Sequence, residues 1–183
     1  MTEAIKNQIF NEMMAHPALF THRKPEKVAL IGDTVGGILQ EIQKHSSHID
    51  IKINSTEFTP DLFDVIIATL KPTPSDLINY FKALKSEGIL VMTTTSPFEL
   101  EKLKAHYAEL HSLGFHDAHL ITFPQPNESS GWCAAFMAIK SSPFKRVKEQ
   151  DIHNRSFATQ YYNFDIHKAS MVLPEFMRQE LNL

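Results

Sequence analysis

Apolar residues recur along this chain in two alternating rhythms, one near four residues and one of two, from end to end. Ile5, Ile9 and Met13 share one face and predict an opening helix. Pro17 is expected to end it, because the residue before a proline avoids helical angles. Lys27 to Ile31 is a short apolar run of the kind that forms a buried parallel strand. Gly32 to Gly37 reads as a glycine-bearing turn, and Ile38, Leu39 and Ile42 predict the helix after it. Ile49 to Ile53 alternates apolar and polar positions, as a strand with one solvated face does.

Phe63 to Ala68 is the next buried strand, and Pro72 and Pro74 break it. Leu77, Tyr80, Phe81 and Leu84 predict a helix that stops at Gly88 as a glycine C-cap. Ile89 to Thr93 is a strand. Pro97 to Leu113 reads as a helix with Ser96 as N-cap and Gly114 at its end. Phe115 to Phe123 and Trp132 to Ile139 are strands on either side of a loop. Lys140 to Lys148 is a basic linker. Asn163 caps a helix with Asp165 in its first turn, and Pro174 starts a short last helix. Strands interleaved with crossover helices and closed by two neighbouring strands predict a doubly wound α/β sheet in a single domain, 1–183. Such sheets bind ligands beyond the carboxyl ends of their strands, near the first strand–helix turn.

Composition narrows the partners. Of the 183 residues, 43% are hydrophobic and 21% charged, which excludes disorder and a coiled coil. Eighteen basic against 21 acidic residues leave a net charge of −3, the wrong sign for bulk nucleic-acid binding. One cysteine, Cys133, excludes an internal disulfide and any multi-cysteine zinc site, and fits a reducing, cytoplasmic setting. No segment has the length and hydropathy of a membrane span, and Glu3 stands where a signal peptide is basic. No metal site is expected. His116 and His119 are three apart on a strand and point to opposite faces, and His106 and His111 share a helix face badly. The turn Ile31-Gly32-Asp33-Thr34-Val35-Gly36-Gly37 admits two readings: a tight turn that needs glycine, or the backbone cradle of a nucleoside-type ligand.

Several segments carry a resemblance. They are Glu12 to His22, Pro25 to Gly32, Ala83 to Val91 and Ser96-Pro97-Phe98. The most specific is Tyr161-Tyr162-Asn163-Phe164-Asp165-Ile166-His167-Lys168-Ala169, followed by Leu173-Pro174-Glu175-Phe176. Together they resemble the catalytic domain of the spermidine synthases, the polyamine aminopropyltransferases. The resemblance implies a Rossmann-like sheet of the class I methyltransferase and spermidine synthase type. It also implies a shortened sheet and no N-terminal β-domain. The family's chemistry is attack of a putrescine nitrogen on the aminopropyl group of decarboxylated S-adenosylmethionine, with methylthioadenosine leaving. That chemistry needs an acidic base and carboxylates that hold a dication.

Carried over position by position, the resemblance places Gly32, Asp33, Gly36 and Asn54 at the nucleoside, and Asn11 and Glu128 at the amine. Val35 stands where the family's turn has an acid, and Asn54 where the second strand ends in a ribose-binding acid. Thr69 holds the position of the catalytic aspartate and Lys71 follows it. Only nine residues separate Ile53 from Phe63, too few for the helix and strand that the family has next. The expectation is therefore a spermidine synthase-like pseudoenzyme that lacks the catalytic acid. It would require no cofactor and would have decarboxylated S-adenosylmethionine, methylthioadenosine or a polyamine as possible ligands. Two alternatives stand beside it. One is an active but altered transferase that uses Asp33, Glu57 or Glu128. The other is a non-enzymatic interaction protein. A homo-oligomer, a dimer, is implied by the family.

Overall fold

The structure is a computed structural model and describes residues 2–33, 36–144, 147 and 149–181. Its elements are α1 (Glu3–Thr21), β1 (Lys27–Ile31), α2 (Gly37–His45), β2 (Asp50–Ile53), β3 (Phe63–Ala68), α3 (Pro74–Ala83), β4 (Leu84–Thr93) and α4 (Leu100–Leu113). They continue with β5 (Asp117–Pro124), β6 (Trp132–Ile139), α5 (Glu149–His153), α6 (Phe164–Ala169) and α7 (Glu175–Leu181). Six strands form one mixed sheet in the order β2-β1-β3-β4-β6-β5. The first four are parallel, and β6 runs antiparallel to both β4 and β5. This is the expected doubly wound sheet with a late hairpin.

Strand alternation divides the core into two layers. Val28, Leu30, Val65, Ile67, Ile89 and Val91 face α1 and α2. Ala29, Ile66 and Leu90 face the other way, toward Leu77 and Tyr80 of α3, Leu103 and Leu110 of α4, and Met177 of α7.

Three expected boundaries are corrected. Pro17 lies inside α1, which runs on to Thr21. Every residue from Met13 to Leu19 is buried, so packing outweighs the roughly 3 kcal/mol that an internal proline costs. The Thr21 hydroxyl donates to the Pro17 carbonyl at 2.6 Å and helps close the last turn. Gly88 is not a C-cap. Helix α3 ends at Ala83 and β4 begins at once, with a bulge that sets Val65 beside Ile89 although Phe63 pairs with Leu84. A Cβ at Gly88 would lie 2.8 Å from the Lys85 carbonyl oxygen, so the bulge requires glycine. Ser96 does not cap α4. The helix starts three residues later than expected, with Glu99 at the N-cap, and the Ser96 carbonyl accepts from the Glu99 N–H.

Two features tie distant parts of the chain. Glu12 is fully buried on α1, and its carboxylate accepts the N–H groups of Gln160, Tyr161 and Tyr162 at 2.7, 2.9 and 2.7 Å. The Tyr162 hydroxyl meets His167 Nδ1 at 2.8 Å inside the same layer. The Tyr161–Ala169 signature is thus a clamp on α1. The second feature is the link from β2 to β3. Residues 54–62 contain no helix or strand. They pass from one side of β1 to the other with Phe58 against the Phe63 and Tyr80 rings, at 6.5 and 5.1 Å between centroids.

Candidate functional site

The carboxyl ends of β1, β2 and β3 bring together Gly32, Asn54 and Thr69, as the positions at strand ends predict. Gly32 turns the chain at φ +86°, and a Cβ there would lie 2.7 Å from Thr69 Oγ1 and from Leu70 Cγ. Glycine is therefore required twice, by the dihedral and by the close approach. Asn54 adopts φ +47°, a left-handed conformation that asparagine tolerates, and its Oδ1 accepts the Gly32 N–H at 2.8 Å. Its side chain is thus a staple between the two strand ends.

Thr69 is equally engaged. Its N–H and its hydroxyl both donate to the Ile31 carbonyl, at 2.9 and 3.2 Å. Its own carbonyl accepts the Thr93 hydroxyl at 3.0 Å.

A cavity of about 350 Å³ opens above these strand ends, lined by Asn7, Phe10, Asn11, Gly32, Asp33, Ile38, Thr69 and Gln125. Helix α1 supplies Asn7 and Asn11, one turn apart on one face. A Cβ at Gly37 would overlap the Asn11 carboxamide, so that glycine lets α1 and α2 close together beside the cavity. Gln125 comes from the β5–β6 loop, where its N–H donates to the Gly131 carbonyl at 2.8 Å. Its Oε1 is closed off from water and has no hydrogen-bond partner among the described residues.

Asp33 is the one carboxylate among the described residues that line this cavity. It does not stand free. Oδ1 accepts the Gly36 N–H at 3.1 Å, and Oδ2 accepts those of Ile38 and Leu39 at 3.1 and 3.2 Å. These are the open amides at the start of α2, so Asp33 is the cap of that helix. Gly36 itself sits at its N-cap, at φ +75°. Thr34 and Val35, the latter the expected place of the family's acid, lie outside the described residues.

The other candidate acids are elsewhere. Glu128 is exposed in the β5–β6 loop, where its N–H and carbonyl build the turn, and it does not line the cavity. Glu57 is exposed on the β2–β3 link, with its N–H donated to Ser55 Oγ. Lys71 is exposed and lies outside the cavity lining. Burial, and then the Lys71 charge, hold the imidazole of His106 below its ordinary pKa. His106 Nδ1 meets the Thr94 hydroxyl at 2.7 Å.

The arrangement offers carboxamides, a hydroxyl and one fully bonded carboxylate. It can hold a polar neutral molecule by hydrogen bonds. Among the described residues, no group of histidine, cysteine, aspartate or glutamate is placed to hold a metal ion. Burial pushes the Cys133 thiol up to about 12, with the Glu128 charge adding to it, so it is no nucleophile at neutral pH. No described helix is long and apolar enough to cross a membrane.

Asn7 and Gln125 were not foreseen from the sequence. Asn7 is spaced four residues before Asn11 on the predicted helix, which was a usable signal. Gln125, between Pro124 and Pro126, gave none.

Comparisons with known proteins converge. Residues 7–55 match the spermine/spermidine synthase domain. The chain is 32% identical to the polyamine aminopropyltransferase of Alkalilimnicola ehrlichii, over 94% of this chain and 77% of that protein. It is 31% identical to that of Nitrosococcus oceani, over 94% and 76%. Both alignments, of 224 and 219 positions, are longer than the chain's own 183 residues, so these relatives carry segments that this chain lacks. The spermidine synthase from Thermotoga maritima has the same fold, with a TM-score of 0.85 over 100% of this chain and 77% of its own, at 24% identity. A spermidine synthase in complex with the transition-state analogue AdoDATO also gives 0.85, at 23% identity.

Proposed function

The chain belongs to the polyamine aminopropyltransferase family, and from that premise we propose that it is a catalytically impaired member that binds a nucleoside without transferring an aminopropyl group. Aminopropyl transfer needs a carboxylate free to take a proton from the attacking ammonium. The observation that carries the reading is the state of the cavity's polar groups. Thr69 stands at the end of β3 with its hydroxyl given to the Ile31 carbonyl. Asp33, the only carboxylate among the described lining residues, gives both oxygens to α2. A threonine hydroxyl without an activating base does not accept a proton at neutral pH.

A ligand site remains. The cavity keeps three carboxamides, of Asn7, Asn11 and Gln125, at the carboxyl edge of the sheet. A protein of the same fold solved with a transition-state analogue supports looking for a small-molecule ligand.

The test is a turnover assay with decarboxylated S-adenosylmethionine and putrescine, beside calorimetry with methylthioadenosine. The expected outcome is binding of methylthioadenosine with no measurable product. Turnover at an ordinary enzymatic rate, about 1 s⁻¹ or more, overturns the reading.

A second reading, a protein that works through a partner, is favoured by one feature. Phe98, Trp132 and Val172 are exposed, at 59%, 43% and 70%, and border one apolar cavity of about 400 Å³. Exposed apolar surface of this kind marks contact sites. Solution scattering that shows a strict monomer counts against a self-associating form of it.

A further inference from the structure

The sheet has two edges, and they are built differently. At the β5 edge the Thr122 N–H donates to the Ser170 carbonyl at 2.8 Å, so the chain after β6 returns to cover it. At the β2 edge the N–H groups of Asp50 and Asn54 donate inward, to the carbonyls of Glu26 and Leu30, both at 2.8 Å. Strand alternation then turns the N–H and carbonyl groups of Ile51 and Ile53 outward. No turn or loop among the described residues bonds to them, and the Ile53 side chain is 48% exposed. An open edge of this kind is a template for another strand. We propose that two copies of this chain join antiparallel along β2, on a two-fold axis at Ile51, into one continuous sheet.

The partner follows from the residues of the edge. Ile49-Asp50-Ile51-Lys52-Ile53 reads the same in both directions, except that acid and base change places. A two-fold axis at Ile51 therefore sets Asp50 of each copy opposite Lys52 of the other, and Ile49 opposite Ile53. Ile51 meets its own counterpart with the outward N–H and carbonyl, so the two can exchange both bonds. Asp50 and Lys52 then fall in the non-hydrogen-bonded pairs, where facing side chains lie closest. Hydrogen-bond parity and charge thus select the same register. A charged residue on an edge strand ordinarily keeps copies apart; this edge carries both signs at mirrored positions, and the guard cancels itself. Within one chain Asp50 is held loosely, with Lys52 Nζ at 3.4 Å and Lys27 Nζ at 3.9 Å, and all three side chains are exposed. A strand from another protein fits only if it carries the same pattern, whereas a second copy always does. The contact is isologous and closes as a dimer. It lies at the far end of the sheet from Trp132 and the apolar cavity there, and it does not depend on nucleoside binding.

The experiment is sedimentation equilibrium of the full chain from micromolar to millimolar concentration, with four variants. The parent mass is expected to climb from 20.9 kDa toward twice that value. Asp50→Lys sets lysine against lysine and Lys52→Asp sets acid against acid. Each should weaken association about tenfold, since like charges directly opposite repel at both symmetric pairs. The double reversal, Asp50→Lys with Lys52→Asp, should return association to within about threefold of the parent. Ile53→Pro removes an outward N–H, spares the bonds to β1, and should weaken the dimer in a chain whose thermal melt shows it folded. A parent that stays monomeric overturns the proposal. So does a dimer indifferent to all four variants, which would use another surface, and so does a double reversal no better than the single ones.

Discussion

Glu12 and Asp33 invite comparison, because each carboxylate accepts three backbone N–H groups. Glu12 is fully buried and its donors lie 148 to 150 residues away. Asp33 lines an open cavity, and its donors lie three to six residues away. The same bond set therefore does two different jobs. In the interior it joins the two ends of the chain, and no water can replace it. At the cavity it finishes one helix, and solvent stands ready to take over. Chemistry alone does not separate these roles; burial and chain distance do.

The largest expected effect tests the buried member. Glu12→Ala leaves the N–H groups of Gln160, Tyr161 and the buried Tyr162 without their acceptor, each costing about 1 kcal/mol or more. Chemical denaturation should show a loss of about 3–5 kcal/mol, and a loss under 1 kcal/mol would remove Glu12 as a clamp. Asp33→Ala should cost far less, about 1 kcal/mol, as helix caps do.

The next effect concerns acid. Burial holds the His167 imidazole down at about 4. Burial, and then the neighbouring His16, hold His45 at about 3. In the unfolded chain both take up a proton near pH 6.5. The unfolded state therefore binds more protons than the folded one below that value, and stability falls as pH drops. Glu41 acts in the same direction at lower pH. Desolvation opposes its ionisation, but hydrogen bonds from His16, Lys44 and Gln8 outweigh it and bring the carboxyl to about 2. Its contribution is present above about 4.5 and is lost toward 2. Between pH 6.5 and 4.5 each histidine should account for about 2 kcal/mol. A pH series of denaturation curves checks this, and His167→Gln should flatten the slope.

Smaller still, Tyr162→Phe removes the partner of a buried His167 nitrogen and should cost about 1–2 kcal/mol. The smallest effect is at the cavity. Thr69→Val loses one hydroxyl bond to Ile31 and should cost about 1 kcal/mol or less, with methylthioadenosine affinity kept within threefold. A large loss of affinity would show that the hydroxyl serves the ligand after all.

These contrasts also explain what the sequence could reveal. The strands from Lys27 to Ile31, Phe63 to Ala68 and Trp132 to Ile139 were legible because continuous apolar runs need a covered sheet. The ends of the first two, together with the end of the strand from Ile49 to Ile53, placed Gly32, Thr69 and Asn54 at one edge of the sheet. Pro17, Gly88 and Ser96 misled because packing or a bulge overrode a local rule. The task of Asp33 was not legible, since it depends on how the backbone turns back through Gly36. The clamp of Glu12 was hidden for the opposite reason, since its partners lie at the far end of the chain.

The helix-free link of residues 54–62 has a consequence for how the molecule assembles. Loop-closure entropy grows with the logarithm of the closed length. A nine-residue strap therefore lets β3 find β1 at small entropic cost once β2 is in place. The trio β2-β1-β3 is expected to form the folding nucleus, and the Glu12 clamp to close last. Mutations in the trio should slow folding, whereas Glu12→Ala should chiefly hasten unfolding.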